Sequence, residues 1–345
     1  MTGGSVHENA AGGPSRHVPV LLREVLDTLD TLEPRDGGVF VDGTFGLGGY
    51  TTAILEAGAG SVLAIDRDPN AIRDGQALVD RFSGKLQLVM GRFGDLDALV
   101  DEQLGGFVDG VVLDIGVSSM QLDEAERGFS FRYDGPLDMR MEQAGPSAED
   151  VVNELGEADL ARVLYIFGEE KKSRRIAKAI VEARKAERIT RTSTLASLVE
   201  KTIGRGMRDK IHPATRTFQA LRIYVNGELD ELGRALLAAE RVLKPGGRLV
   251  VVTFHSLEDR IVKRFFTERS KTHGGGSRHR PEQDLPDATF TLKTRKALSP
   301  QDDEIAENPR ARSSRLRAAV RTDAPSRHSD QTAWGVPDLV MGKGG

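Results

Sequence analysis

Apolar residues along the chain fall into two alternating patterns. Short continuous runs at Val39–Asp42, Ser61–Asp66, Leu86–Met90 and Val108–Ile115 read as buried strands. Helical spacing fills the gaps: Pro19–Leu29 leads into the first strand, and a helix runs from Thr51 to about Ala57. This alternation predicts an α/β fold with a doubly wound, mainly parallel sheet. After Gln121 the alternation stops. It resumes with a long helix, Thr217–Leu243, a strand at Arg248–Phe254 and a helix from Leu257 to about Glu268. Thr289–Lys293 and Ser314–Val320 are expected to close the sheet as a hairpin, with a glycine-rich loop at Lys271–Pro286 between them.

The interruption reads as an inserted all-helical domain. Leu160, Val163, Leu164 and Phe167 make one stripe of Glu157–Phe167, with Gly168 as candidate C-cap. Ile176, Ala179, Ile180 and Ala183 make a second stripe on Glu169–Arg188, and Thr194 is the candidate N-cap of Leu195–Ile203. The expected division is therefore a discontinuous sheet domain, 17–125 and 213–322, around a helical domain for substrate recognition, 126–212. Residues 1–16 and 323–345 read as disordered tails.

The densest chemistry follows the first strand. Asp42 ends it, Gly43–Tyr50 is glycine-rich, and the second strand ends in Asp66, 24 residues further on. Glycines permit sharp turns and close approach of a ligand, a helix start offers free N–H groups, and the second acid is placed for a ribose diol. The run Gly46-Leu47-Gly48-Gly49-Tyr50-Thr51 lacks the third glycine of the dinucleotide fingerprint. An acid at Asp42 would repel a pyrophosphate and suits a cationic or zwitterionic ligand. The pattern D-x-x-x-G-x-G-G thus favours S-adenosylmethionine. Lys244-Pro245-Gly246-Gly247, turning into a buried strand, fits a class I (Rossmann-like) methyltransferase sheet.

Composition narrows the reaction. At 345 residues with 39% hydrophobic and 29% charged, the chain can bury a full core. No stretch approaches the roughly 18 apolar residues of a membrane span, and Met1–Pro14 lacks the apolar centre of a secretory signal; a cytoplasmic location is expected. Cysteine is absent. That excludes pyrimidine C5 methylation through a cysteine nucleophile and radical chemistry on a cysteine-bound cluster. No metal is expected.

Charge singles out one segment. The chain carries 48 Lys and Arg against 52 Asp and Glu, yet Lys171–Arg216 carries 14 against 4. Arg174, Arg175, Lys178 and Arg216 therefore form a candidate polyanion surface; the alternative is a solvated helix face. Phe129, Phe131 and Tyr133, interleaved with Arg132 and followed by Arg140, suit stacking on an unpaired base, or else anchor the insert to the core. His212 and His255 are either catalytic bases or structural histidines. Asp114, Ser118 and Gln121 follow the fourth strand, where such sheets bind ligands.

Taken together, these pieces resemble the bacterial small-subunit (16S) ribosomal RNA cytosine-N4 methyltransferase family. The matching runs are His17–Leu22, Asp42–Gly49, Ala64–Pro69, Leu113–Gln121, Glu126–Met141, His212–Asn226, Thr253–Arg264 and Glu307–Ser314, in order along nearly the whole chain. The resemblance implies methyl transfer from S-adenosylmethionine to the exocyclic amine of a cytidine in the decoding centre, with 16S rRNA in the small subunit or its precursor as partner; a homodimer is compatible with it. It places cofactor contacts on Gly48, Gly49, Tyr50, Asp66, Phe93, Asp114 and Gln121. The family's usual histidine is Tyr50 here, and the D/N-P-P-Y motif of many amine methyltransferases is replaced by Asp114-Ile115-Gly116-Val117-Ser118.

The expected mechanism is in-line attack by cytosine N4, with Asp114 or His255 as candidate proton acceptor, on a base unstacked from its neighbours. Two other classes share features with this reading. A NAD-dependent oxidoreductase would share the first half, and the missing third glycine argues against it. A non-catalytic rRNA-binding assembly factor would need no intact cofactor loop.

Overall fold

The computed structural model describes residues 18–29, 37–206, 211–272 and 286–338. The expected N-terminal tail, His17, Lys210, the triglycine of the 271–286 loop and the last residues from 339 lie outside these bounds.

Strands β1 (Val39–Asp42), β2 (Ser61–Asp66), β3 (Leu86–Met90), β4 (Val108–Asp114), β5 (Leu243–Thr253), β6 (Phe290–Leu292) and β7 (Arg315–Arg321) form one sheet in the order β3-β2-β1-β4-β5-β7-β6. The first five run parallel, and β7 is antiparallel to both β5 and β6. The order reverses between β1 and β4. Ligands bind outside the carboxyl ends of strands at such a switch point. Asp42, Asp66 and Asp114 are the last residues of β1, β2 and β4.

The helices are α1 (Leu22–Leu29), α2 (Gly49–Glu56), α3 (Pro69–Asp74), α4 (Gln76–Arg81), α5 (Leu96–Leu104), α6 (Ser119–Asp123), α7 (Ala148–Glu154), α8 (Glu157–Gly168), α9 (Ser173–Ala186), α10 (Thr192–Ile203), α11 (Thr215–Asn226), α12 (Glu228–Val242), α13 (Ser256–Arg269) and α14 (Asp302–Glu307). Alternate strand residues feed two cores, as the pleat requires. Phe40 and Val112 pack with Tyr50 and Ile54 of α2. Val41, Val111 and Leu113 pack with Leu236 of α12 and Phe265 of α13. This second core runs on into Leu160, Ile176 and Leu195 of α8, α9 and α10, so the helical segment and the sheet share one interior.

Several local expectations change. The long helix Thr217–Leu243 is two helices, because Gly227 turns the chain at φ +62° between α11 and α12. Gly168 is not a C-cap. It is the last residue of α8, and Glu169 takes the left-handed position. A Cβ at 168 would lie 2.6 Å from the Arg216 carbonyl oxygen, so the glycine lets α8 approach α11. α10 starts before Thr194, because Thr192 is buried and its Oγ1 accepts from Gly135 N at 3.0 Å. Lys244-Pro245-Gly246-Gly247 lies inside β5, where the pairing with β4 shifts register.

The expectation of disorder from Asp323 is also corrected for residues 323–338. Trp334 is 1% exposed and stacks edge-on against Phe265 at 4.9 Å. Arg269, itself buried, pairs with Glu240 at 2.9 Å and donates to the Arg327 carbonyl at 3.0 Å. A single tryptophan and a buried ion pair give a polar-looking tail enough to hold it down. Among the described residues, no helix is long and apolar enough to cross a membrane.

Candidate active site

The glycine loop is shaped by its own chain. Gly46 and Gly48 stand at φ +54° and +72°, which side-chain-bearing residues rarely adopt. A Cβ at Gly48 would come 2.4 Å from Leu78, one at Gly49 2.3 Å from Pro19, and one at Gly43 2.5 Å from Leu113. The glycines thus let the segment before α1, helix α4 and strand β4 close around the loop. The loop is then pinned to the acids: Gly46 N donates to Asp66 Oδ2 at 2.7 Å, Thr44 N to Asp42 Oδ1 at 3.1 Å, and Asp114 N to Thr44 Oγ1 at 2.8 Å.

Three carboxyl groups therefore converge, none with a basic partner among the described residues. Asp42 is fully buried, and burial pushes its pKa up to about 6 against the pull of the Thr51 hydroxyl at 2.7 Å. Asp66 is raised by burial, although Asp68 N and Gly46 N donate to it. Asp114 is raised well above the usual carboxylate range, first by burial and then by the nearby Asp42 and Glu258. Its Oδ1 is buried with no hydrogen-bond partner among the described residues. Such a group is costly unless a ligand satisfies it. A cationic ligand with hydroxyl donors fits this donor set, which is what the amino acid, sulfonium and ribose of S-adenosylmethionine offer.

Phe93 borders the same pocket. It opens the 3-10 turn after β3, half-buried, and its Cβ lies 3.2 Å from where a side chain at Gly43 would begin. Tyr50 is different. Its ring sits in the core and its hydroxyl donates to the Val20 carbonyl, so the side chain ties α2 to the entry segment. At this position only the backbone of the helix start faces the loop. Gln121 is buried too. It closes a capping box with Ser118 and donates from Nε2 to Asp68 Oδ2 at 2.9 Å. It positions the loop after β4 rather than standing free.

The acceptor side sorts the remaining candidates. Phe129 is buried in the core beside Arg127, so it offers no stacking face. Phe131 is half-buried and packs on His212 at 4.7 Å and Phe218 at 4.8 Å; the aromatic run anchors the insert, and Tyr133 is its exposed member. Arg140 is locked onto Asp138 through Nε and Nη2 and onto the Gly145 carbonyl. His212 accepts from Ala214 N at 3.1 Å at the entry to α11. His255 is the N-cap of α13, and its Nε2 lies 2.8 Å from Glu258 Oε1. Burial pushes Glu258 up, but His255 and Arg222 outweigh it and hold the acid below its usual range. This ring caps the α13 start. Glu228, His255 and Glu258 also present ligand atoms within 4.8 Å of one another, but Arg222 already neutralises Glu228 through two bonds of 2.9 and 2.8 Å.

Arg174, Arg175 and Lys178 stand exposed on the outer face of α9, opposite the buried stripe Ser173, Ile176, Ala177 and Ile180, and Arg216 is exposed on α11. Other bases of the segment are spent internally. Arg188 meets Glu149 and Asp150, Arg191 meets Asp134, and Arg184 donates to the Val152 carbonyl. Sequence reasoning missed Thr44, Thr51, Arg67 and Asp68. Only Asp68 carried a local signal, an Asp-Pro pair at a helix start.

Residues 14–322 match the model of the MraW methylase family. A protein of Azorhizobium caulinodans named ribosomal RNA small subunit methyltransferase H is 59% identical over 337 residues, 97% of this chain and 96% of that one. Its namesake in Brucella anthropi is 57% identical over 340 residues, with the same coverage. Among solved structures, an rRNA methylase from Streptococcus thermophilus superposes with a TM-score of 0.37 at 11% identity, covering 89% of this chain and all of that one. With a family match over most of its length and relatives of this identity, the chain belongs to the MraW methylase family.

Proposed function

We propose that this S-adenosylmethionine-dependent rRNA methyltransferase modifies the N4 amine of a cytidine in the decoding centre of 16S rRNA, within the small subunit or its precursor. S-adenosylmethionine supplies an electrophilic sulfonium methyl. The observation that carries the reading is Asp114: half-buried at the end of β4, with one buried carboxyl oxygen, Oδ1, that has no partner among the described residues, beside the loop that would hold the donor.

The chemistry asks for such a group. The lone pair of cytosine N4 is delocalised into the ring, so the amine must be oriented and relieved of a proton as the new bond forms. The proton affinity of Asp114 falls beside a positive charge and recovers as that charge is discharged. That is the moment at which the amine must lose its proton. Asp66 holds the ribose hydroxyls, Phe93 packs on the adenine, and the backbone of Gly48, Gly49 and Tyr50 lines the loop. The approach of His255 to Glu258 and its capping of α13 favour Asp114 over it as the acceptor. The exposed bases of α9 meet rRNA phosphates.

The test is methylation of small subunits isolated from a deletion strain, followed by mass-spectrometric identification of the nucleoside. N4-methylcytidine is expected, and any other product overturns the target. Asp114→Asn should lower kcat by about a hundredfold or more, in the range for a positioned proton acceptor, with a smaller change in KM. A kcat within threefold of wild type would remove Asp114 from the reaction.

A further inference from the structure

Two arginines from two different donor loops reach one glutamate. Arg67 follows Asp66 at the end of β2, and its Nε donates to Glu142 Oε1 at 2.9 Å. Arg92 precedes Phe93 after β3. Its Nε lies 2.6 Å from the same oxygen, and its Nη2 donates to Glu142 Oε2 at 2.9 Å. Glu142 belongs to neither loop. It sits in the stretch that leads into α7 and the helical segment.

The surrounding residues make this a strap. Arg67 Nη1 also bonds Glu231 Oε2 at 2.6 Å and the Asn226 carbonyl at 3.0 Å. The Asn226 amide in turn holds Met139 O and Met141 N, both at 2.8 Å. Asp68 pairs with Arg127 at 2.7 Å, and Arg127 donates to the carbonyls of Arg140 and Met141 at 3.1 Å. Three successive residues at the end of β2 thus serve two sides: Asp66 faces the glycine loop, while Arg67 and Asp68 grip residues 139–142. Met139 is fully buried at φ +64°, a conformation that a bulky side chain rarely keeps unless its surroundings impose it. Arg67 is almost wholly buried, so losing Glu142 leaves its charge to Glu231 and loosens the hold on Arg67.

We propose that Glu142 is a positioning residue that couples donor binding to RNA binding. By clasping Arg67 and Arg92 it holds Asp66 and Phe93 in register with the strap, and the strap continues into the helices that carry the exposed bases. This rests on the reading that the donor lies on Asp66 and Phe93 and that the helical segment meets rRNA. Coupling between two sites is reciprocal: whatever factor the donor contributes to RNA affinity, RNA contributes to donor affinity.

The experiment uses the full chain as wild type, Glu142→Gln, Glu142→Ala, Arg92→Gln, the double variant and Asp138→Ala. Calorimetry gives the affinity for S-adenosylhomocysteine. A filter assay gives the affinity for undermethylated small subunits with and without that ligand at saturation. Glu142→Gln should weaken S-adenosylhomocysteine binding by about tenfold, as expected for losing charge-assisted bonds. It should bring the ligand's effect on subunit affinity close to one, and leave subunit affinity without the ligand unchanged. Arg92→Gln should add little on top of Glu142→Gln, since both break one clasp. Asp138→Ala loosens the same stretch through Arg140, away from the donor loops, and should lower Tm without changing ligand affinity. Wild-type ligand affinity in Glu142→Gln overturns the proposal. So does equal weakening in Asp138→Ala, which would mean general loosening, and so does a wild-type protein whose subunit affinity ignores the ligand. A wrong target would look different: another methylated nucleoside, with the variants still separated in ligand affinity. A wrong clasp would give equal ligand affinities with N4-methylcytidine still formed.

Discussion

The donor loop and the basic helices are both one-signed clusters, and they differ in burial. Asp42 is buried, Asp66 and Asp114 are half-buried, none has a basic partner among the described residues, and each is shifted upward because burial disfavours its charge. Arg174, Arg175 and Lys178 lie in solvent, where like charges cost little. A buried unpaired cluster is expensive, and a ligand of opposite charge relieves it. An exposed cluster is cheap, and it identifies a partner only by charge sign. Each acid therefore carries meaning individually, and the bases carry it only together.

Breaking the exposed cluster should therefore require several changes at once. Arg174→Glu, Arg175→Glu and Lys178→Glu combined should weaken binding to rRNA by one to two orders of magnitude, with a salt slope flattened by about 0.7–0.9 per lost phosphate contact. Donor affinity should hold. A triple variant with wild-type salt slope would return α9 to a solvated face and turn attention to Tyr133 and its neighbours.

One change should suffice in the buried cluster. Asp66→Ala should weaken S-adenosylmethionine binding by about tenfold or more, since charge-assisted bonds contribute roughly 1.5–3 kcal/mol. Isothermal titration showing wild-type affinity would take Asp66 out of the site. RNA affinity in the absence of donor should be unaffected, the mirror image of the triple variant.

The smallest effect, and the one that sharpens the comparison, is with pH. A raised acid is protonated in the folded protein below about pH 6 for Asp42. A cation prefers the ionised form, so donor affinity should rise with pH up through about 6 and then level off. The same shift works against folding. The folded state binds the extra proton between the ordinary value of 3.8 and about 6, so Asp42's contribution to stability falls as pH rises through that window. Asp66 and Asp114 are shifted in the same direction and add to both trends. Asp42→Asn should flatten the binding profile several-fold between pH 5 and 7. A profile equally steep in that variant would assign the slope to other groups.

What the sequence determined by itself was local. The bounds of β1, β2 and β3 follow from short apolar runs ending in acids or turns, and the glycine loop follows from positions such as Gly48 that only glycine fills easily. These are matters of torsion and periodicity, which a few adjacent residues decide. The strand-end acids were legible for the same reason: a strand's last residue in a parallel sheet lies at the sheet's carboxyl edge wherever the rest of the chain goes. Tertiary structure decided everything that depends on distant partners. Phe129 looked like a stacking ring and is buried, and Arg140 looked free and is held by Asp138. His255, open between base and structural histidine, caps a helix, and Trp334 holds a tail that composition left loose. Glu142 carried no signal at all, since its arginines lie 75 and 50 residues away. Charge and aromatic content are properties of a residue, but whether that charge or ring is available is set by what packs against it, and packing brings together residues that the chain keeps far apart.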